Sequence, residues 1–289
     1  MEQTIADAFK ELKENLKFVY EENEVEIILG WVFEHVFNYS KVQGSLNAQT
    51  LVNAEQAALL HRFETELTAH RPIQYVLGES YFYGLKLKVD ESVLIPRPET
   101  EELVDWCLKE IKRPLNQDFK ILDIGTGSGC IALAIKSKLK NAEVWAVDIS
   151  EKALKIAQEN AQHARLEIAL RQTNILDVSN WSTLPDFDVI ISNPPYITKA
   201  EQKEMSPNVL KYEPENALFV QNDDPLQFYK SIADFAKLHL KKDGKLFFEL
   251  NALFAEETKN WLLGDHWEVE LKNDLQGRAR MIQSKRVIV

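Results

Sequence analysis

The chain has 289 residues, 45% of them hydrophobic, which excludes a disordered chain and leaves room for one large domain beside a small one. Its 45 acidic and 34 basic side chains give a net charge of −11, which counts against free nucleic acid as a substrate unless a local basic patch meets it. Two cysteines, Cys107 and Cys130, are too few for a disulfide framework. With no signal-peptide pattern in MEQTIADAFKELKENLK and no run near 18 apolar residues, the expectation is a cytoplasmic protein with reduced thiols and no membrane span.

The first 70 residues read as helical. Ile5, Phe9, Leu12, Leu16 and Val19 recur at spacings of four and three, which is one apolar stripe on one helix. Val25, Ile28, Val32 and Val36 repeat it. Leu59, Phe63 and Leu67 suggest a third helix after a polar connection over Gln43 to Thr50, and Pro72 ends the region. From Tyr81 to Val89, Leu85, Leu87 and Val89 alternate with lysines as one arm of a hairpin that ends near Ile95-Pro96. The expected division is a helical domain over residues 1–72, a β-hairpin connector over 73–97 and an α/β domain over 98–289.

In that last part, apolar runs at Ile121 to Ile124, Val144 to Val147, Asp188 to Ile191 and Leu246 to Leu250 alternate with helical stretches at Cys130 to Leu139, Glu151 to Gln162 and Leu226 to Leu240. Continuous apolar strands separated by helices predict a doubly wound, mostly parallel sheet, covered on both faces. Ligands of such sheets bind at the carboxyl ends of the strands. Lys241-Lys242-Asp243-Gly244 reads as a cationic helix end followed by a glycine stop.

Three motifs stand at those strand ends. Gly125-Thr126-Gly127-Ser128-Gly129 follows the first strand and opens a helix, with glycines that permit tight turning and close approach to a ligand. Cys130 stands where a dinucleotide fingerprint would carry its third glycine, so the pyrophosphate-binding register is missing. Asp148 ends the second strand, where a carboxylate can accept both ribose hydroxyls of an adenosine group; the alternative is a cap for the helix that begins near Ser150. Asn193-Pro194-Pro195-Tyr196 follows the strand Val189-Ile190-Ile191. Two prolines fix two φ angles and delete two N–H donors, which leaves a stiff, acceptor-rich loop. It suits an NH2 group on an sp2 carbon, with the Asn193 side-chain oxygen and the Pro194 carbonyl each taking one hydrogen and the Tyr196 ring covering the flat face. Taken alone, a Pro-Pro turn is more often structural.

With these motifs the sequence resembles the HemK/PrmC family of protein-(glutamine-N5) methyltransferases. The resemblance spans nearly the whole chain. It takes in the helical N-terminal region, Pro72-Ile73-Gln74-Tyr75 through Gly78, Ile95-Pro96-Arg97-Pro98-Glu99-Thr100-Glu101, the glycine loop, Asp148, Asn193 to Ile197, and Asp274-Leu275-Gln276-Gly277-Arg278-Ala279-Arg280. Arg-Pro-x-Thr-Glu before the glycine loop points to this family over its relatives. The resemblance implies a class I methyltransferase-like domain, S-adenosyl-L-methionine as cofactor, and the glutamine of the Gly-Gly-Gln loop of class 1 peptide-chain release factors as substrate. It places Gly125, Thr126, Gly127, Ser128, Gly129 and Asp148 on the methionine and ribose parts of the cofactor, Asn174 and Ile175 along the adenine, and Asn193, Pro194, Pro195 and Tyr196 around the acceptor glutamine, with Asn193 touching the cofactor as well and Asn193, Pro194 and Tyr196 as the catalytic group. Many relatives have Asp in place of Asn174 and Ile-Gly in place of Leu250-Asn251.

An exocyclic amine of adenine or cytosine has the same planar NH2 geometry and is the alternative substrate; a cofactor-binding scaffold without turnover is a third reading, which an intact Asn-Pro-Pro-Tyr loop disfavours. Residues 1–80 carry 13 acidic and 6 basic side chains, a net of −7, the wrong sign for a phosphate backbone, so a protein partner is expected and direct nucleic-acid binding is not. The six histidines show no metal-ligand spacing, and no metal is expected. Cys107 shares a helical pattern with Leu103 and Ile111, which favours packing over nucleophilic chemistry.

Overall fold

The structure is a computed structural model that describes residues 3–111, 119–220 and 224–287. It divides into two compact units, one reaching Gly78 and including Pro207–Tyr212, the other formed by Glu79–Ser206 and the chain from Glu213 onward.

In the first unit, helices Ile5–Leu16, Lys41–Leu46 and Ala54–Thr68 each begin with a capping box, in which Thr4, Ser40 and Asn53 pair reciprocally with Asp7, Gln43 and Gln56. Glu22–Phe37 lies between the first two. Their stripes meet in one core that includes Leu12, Leu16, Ile28, Val32, Phe63 and Leu67, as the spacing predicts. Val19 lies beyond the first helix, and the Gln43 to Thr50 connection contains most of a short helix of its own, because Ser40 supplies a cap. Ile73–Leu77 is helical rather than part of a hairpin. It buries Tyr75 and Val76 and stops at Gly78, whose left-handed φ of 72° ends the helix. The unit boundary therefore falls at Gly78 instead of residue 72.

The second unit opens with a hairpin of β1 (Glu79–Phe82) and β2 (Leu85–Lys88). Tyr83 and Gly84, at φ 50° and 80°, form its two-residue turn, so the single arm expected over Tyr81 to Val89 is both arms folded on themselves. The main sheet contains β3 (Lys120–Ile124), β4 (Glu143–Asp148), β5 (Ala169–Gln172), β6 (Phe187–Ser192), β7 (Leu240–Glu249), β8 (Trp267–Asn273) and β9 (Ala279–Arg286) in the order β5-β4-β3-β6-β7-β9-β8. Pairing is parallel from β5 through β7 and antiparallel for β7 with β9 and β9 with β8.

Side-chain alternation splits the sheet between two cores. Leu122, Ile124, Ile190, Leu246 and Phe248 face the core that holds Tyr229 and Phe235 of helix Gln227–His239. Ile121, Val144, Val189, Ile191 and Phe247 face helices Pro98–Glu110 and Cys130–Lys138. Each fully buried side chain of this size contributes about 1.5–3 kcal/mol. Cys107 is part of the second core, and burial pushes its thiol up to about 12, consistent with packing.

The reading of Lys241 to Gly244 as a helix end is corrected. The helix stops at His239 and β7 begins at Leu240. The β6–β7 ladder starts at Phe187 opposite Leu240 and shifts register before Val189 pairs with Lys245, which draws this polar stretch into the strand. Lys241 Nζ there binds Asp188 at 2.8 Å.

Candidate active site

The chain runs outward from β3 through β4 to β5, then crosses back to β6 on the other side of β3. The reversal puts a crevice between the carboxyl ends of β3 and β6, the usual ligand position of an open α/β sheet. The Ser192 hydroxyl closes the two strands together by donating to the Ile124 carbonyl at 2.7 Å. A cavity of about 340 Å³ opens at this point, with Gly125, Gly127, Asp148, Asn174, Ile175, Asn193, Pro194 and Pro195 on its wall. That volume lies within the range of about 300–1,000 Å³ for small-molecule sites.

The glycine loop shapes the floor of this cavity. Gly125, Gly127 and Gly129 all have left-handed φ values, 74°, 54° and 82°. A Cβ on Gly125 would lie 4.0 Å from the Asn193 carbonyl oxygen, so the loop approaches the Asn-Pro-Pro-Tyr segment closely. The Gly125 and Thr126 N–H groups both donate to the Val147 carbonyl, Gly129 N–H donates to Thr126, and Gly127 N–H to Asp148. These four donors are spent inside the protein, which agrees with the missing pyrophosphate register. Thr126, Ser128 and Gly129 are buried and do not reach the cavity wall. The Thr126 hydroxyl donates to Asp123 Oδ2 at 2.6 Å, and Gly129 begins the next helix. Burial pushes the Asp123 carboxyl up to about 7 against that bond and the Ala132 N–H.

Asp148 accepts the Gly127 N–H through Oδ2 and the Ser150 N–H through Oδ1, both at 2.9 Å. The helix Glu151–Ala164 is capped by the Ser150 hydroxyl, which accepts the Ala153 N–H, so Asp148 is not its cap. Burial raises the Asp148 pKa against the bonds from Ser150 and Gly127. The Ile149 N–H acts in the same direction as those bonds, and a carboxylate with about four lone-pair sites keeps capacity for a ligand hydroxyl. Asn174 accepts the Leu176 N–H at 3.0 Å, a local turn that aligns it beside Ile175 on the wall.

At the end of β6, the Asn193 Nδ2 group donates to the Thr100 hydroxyl at 3.2 Å. Thr100 in turn donates to Glu249 Oε2 at 2.6 Å, and the Tyr196 hydroxyl donates to Glu249 Oε1 at 3.4 Å. Tyr196 is not on the cavity wall. Its ring packs against the core beside Gln227–His239, its carbonyl accepts from Asn251 at 3.3 Å, and burial beside Glu249 raises its phenol pKa. The structure thus brings Asn193, Pro194 and Pro195 to the cavity wall together, and Tyr196 is not among its lining residues. Asn251 also donates to Glu201 at 2.8 Å, so the departure from Ile-Gly at Leu250-Asn251 gives this loop a polar tether.

Sequence reasoning missed Glu249, which is buried at the end of β7 and pushed up to about 7 by that burial, with Thr100 and Arg280 acting in the opposite direction. The signal was a lone carboxylate closing the apolar run Leu246-Phe247-Phe248. It also missed Asn160, a polar residue between Ala157 and Ala161 on a buried helix face. Asn160 Nδ2 donates to the carbonyls of Ser128 and Lys88 and its Oδ1 accepts the Lys88 N–H, fastening the β1–β2 hairpin to the glycine loop. Phe228, Ile232 and Ala217 complete the cavity's apolar wall.

Residues 105–218 match the family described as Methyltransferase small domain, and residues 5–78 match the PrmC N-terminal domain, whose end coincides with the first unit's boundary. A release factor glutamine methyltransferase of Flavobacterium psychrophilum is 41% identical over 93% of this chain and 94% of its own length. Its counterpart in Bacteroides thetaiotaomicron is 35% identical over 95% and 98%. Among solved structures, a methyltransferase from Pyrococcus furiosus covers 81% of this chain and 98% of its own, at 19% identity and a TM-score of 0.51, a likeness of fold. The identity along nearly the full length of two such enzymes, together with both domain matches, places the chain in the release factor glutamine methyltransferase family.

Proposed function

We propose that the protein transfers a methyl group from S-adenosyl-L-methionine to the side-chain amide nitrogen of a glutamine, in the Gly-Gly-Gln loop of a class 1 peptide-chain release factor. The observation that carries this reading is the amide of Asn193. Its Nδ2 is committed to Thr100, no group among the described residues donates to its Oδ1, and it shares the cavity wall with Pro194. A planar NH2 group has two hydrogens to give, and this wall offers it acceptors.

The cavity also fits the cofactor. The Asp148 lone pairs suit ribose hydroxyls, Asn174 and Ile175 line the adenine side, and Phe228 and Ile232 supply an apolar surface. The glycine loop, with four of its N–H groups spent, leaves room for a ligand without phosphates. When bound, S-adenosyl-L-methionine supplies an activated methyl on a sulfonium leaving group. The protein's part is alignment. Asn193 Oδ1 and the Pro194 carbonyl hold the glutamine NH2 so that the nitrogen lone pair is presented to the methyl carbon, and both bonds strengthen as positive charge develops on nitrogen. A release-factor substrate puts this work in the cytoplasm. No helix among the described residues is long and apolar enough to cross a membrane.

Transfer of labelled methyl to a purified release factor, to its Gln-substituted form and to total nucleic acid tests the reading; label in nucleic acid alone would overturn it. Asn193→Ala is expected to keep the fold and most cofactor affinity while single-turnover transfer falls by about 100-fold to 1,000-fold. Near-normal transfer with a lowered melting temperature would reduce Asn193 to a turn residue.

A further inference from the structure

The Arg-Pro-x-Thr-Glu segment has no role in the mechanism so far, yet Thr100 lies between the two groups that matter most. Thr100 is the third residue of helix Pro98–Glu110 and is buried. A hydroxyl has one proton. Here that proton points to Glu249 Oε2 at 2.6 Å, so toward Asn193 the Thr100 oxygen can only accept, and it does so from Nδ2 at 3.2 Å. The other oxygen of the same carboxylate takes the Tyr196 hydroxyl, and the Tyr229 hydroxyl donates to the Glu249 carbonyl at 3.2 Å. One carboxylate at the end of β7 therefore holds both polar side chains of the Asn-Pro-Pro-Tyr loop.

We propose that Glu249 is a positioning residue: by claiming the Thr100 proton it fixes which way the Asn193 carboxamide lies, Nδ2 toward Thr100 and Oδ1 free for an N–H of the acceptor. This rests on the glutamine-methylation reading and deepens it. The chain of bonds has a built-in reversal. A protonated Glu249 can donate to Thr100, which releases the Thr100 proton to Asn193. The carboxamide then turns over to offer Oδ1 to Thr100, and its NH2 group, which repels the substrate NH2, takes the acceptor's place.

The groups that face Glu249 set the pH at which this happens. Thr100 and Glu99 approach from helix Pro98–Glu110, Tyr196 from the loop after β6, Tyr229 from helix Gln227–His239, Arg280 from β9, and Cys130 from the helix after the glycine loop. Burial raises the carboxyl to about 7 and outweighs Thr100 and Arg280, while Glu99 adds to the rise. The productive form is the ionised one, so methyl transfer increases as pH rises through about 7 and levels off above it.

Glu249→Gln and Thr100→Val in the full chain test this, with single-turnover transfer to a release factor measured across pH 5.5 to 9. Cofactor affinity is read by calorimetry, and the Asn193 side-chain amide by NMR in the wild type. The expected result is a fall in transfer of about tenfold to 100-fold in both variants, with cofactor affinity near wild type. The acid limb is expected to vanish in Glu249→Gln, and the wild-type Asn193 amide signals to shift through the same pH range. Wild-type rates in Glu249→Gln, an acid limb that survives in it, or Asn193 signals that stay fixed across pH 7 would each overturn the proposal. Should the wild-type protein leave the release factor unmethylated, the glutamine reading falls, and the Asn193 titration still decides the role of Glu249.

Discussion

Asp148 faces the cavity and also ties down its floor. The carboxylate proposed to receive a ribose also holds the Gly127 and Ser150 N–H groups. Asp148→Ala is therefore expected to weaken cofactor binding by about 1.5–3 kcal/mol, the range for a hydrogen bond to a charged group, and to lower the melting temperature as well, because two backbone donors lose their acceptor. Calorimetry with S-adenosyl-L-methionine and a thermal melt on one preparation check both; unchanged affinity with a lowered melting temperature would leave only the loop-ordering role. The sequence placed Asp148 at a strand end and left a helix cap open as the alternative. Ser150 fills that position, and only the fold decides it, since either residue type makes a good cap.

At the scale of elements, the glycines of one motif serve different purposes. Gly127 is on the cavity wall, and a Cβ there meets nothing within 4 Å. Gly129 is where helix Cys130–Lys138 passes helix Glu151–Ala164, and a Cβ on it would stand 3.2 Å from the Ala157 Cβ and 3.3 Å from Leu133 Cδ1. Both positions impose a left-handed φ that costs an L-residue about 1–2 kcal/mol. Gly129→Ala adds the crowding and is expected to destabilise the fold by about 2–4 kcal/mol with little direct effect on cofactor contacts. Gly127→Ala is expected to show the reverse emphasis, a smaller loss of stability and a clear loss of cofactor affinity. Denaturant midpoints and calorimetric affinities for the pair distinguish packing from binding; equal midpoints would refute the packing role of Gly129. Periodicity in the sequence supplied β3, β4, β6 and β7 of the sheet, yet it misread Lys241 to Gly244, where a register shift in the β6–β7 ladder overrides local helix-end chemistry.

At the scale of the whole molecule, charge is uneven. Residues 1–80 carry a net of −7 of the chain's −11. In the first unit, Ile27 and Trp31 are exposed four residues apart on helix Glu22–Phe37. An acidic surface with exposed apolar side chains suits a basic protein partner, and the attraction between such surfaces acts mainly on the rate of encounter. Association of the full-length protein with a release factor is expected to slow by about tenfold between low salt and 0.5 M salt, while cofactor affinity changes little. Stopped-flow association rates at several ionic strengths measure this, and a salt-independent rate would mean that the acidity has no part in recognition.

The sequence by itself determined the fold class and which motifs stand at the strand ends. Apolar periodicity is a one-dimensional trace of burial, so the helical unit, the mostly parallel sheet and its order of chemical motifs are legible in the chain itself. Glycine-rich and Pro-Pro turns are equally legible, because their conformational restrictions belong to the residues themselves. Which side chains converge was decided by the tertiary structure alone. Thr100, Asn193 and Glu249 are separated by 93 and 56 positions, and no local pattern connects them; the sheet order and the helix that begins at Pro98 bring them within hydrogen-bond reach. For the same reason Tyr196, adjacent to Pro195 in sequence, is not part of the cavity wall: its hydroxyl finds a buried carboxylate on a strand that only folding places beside it.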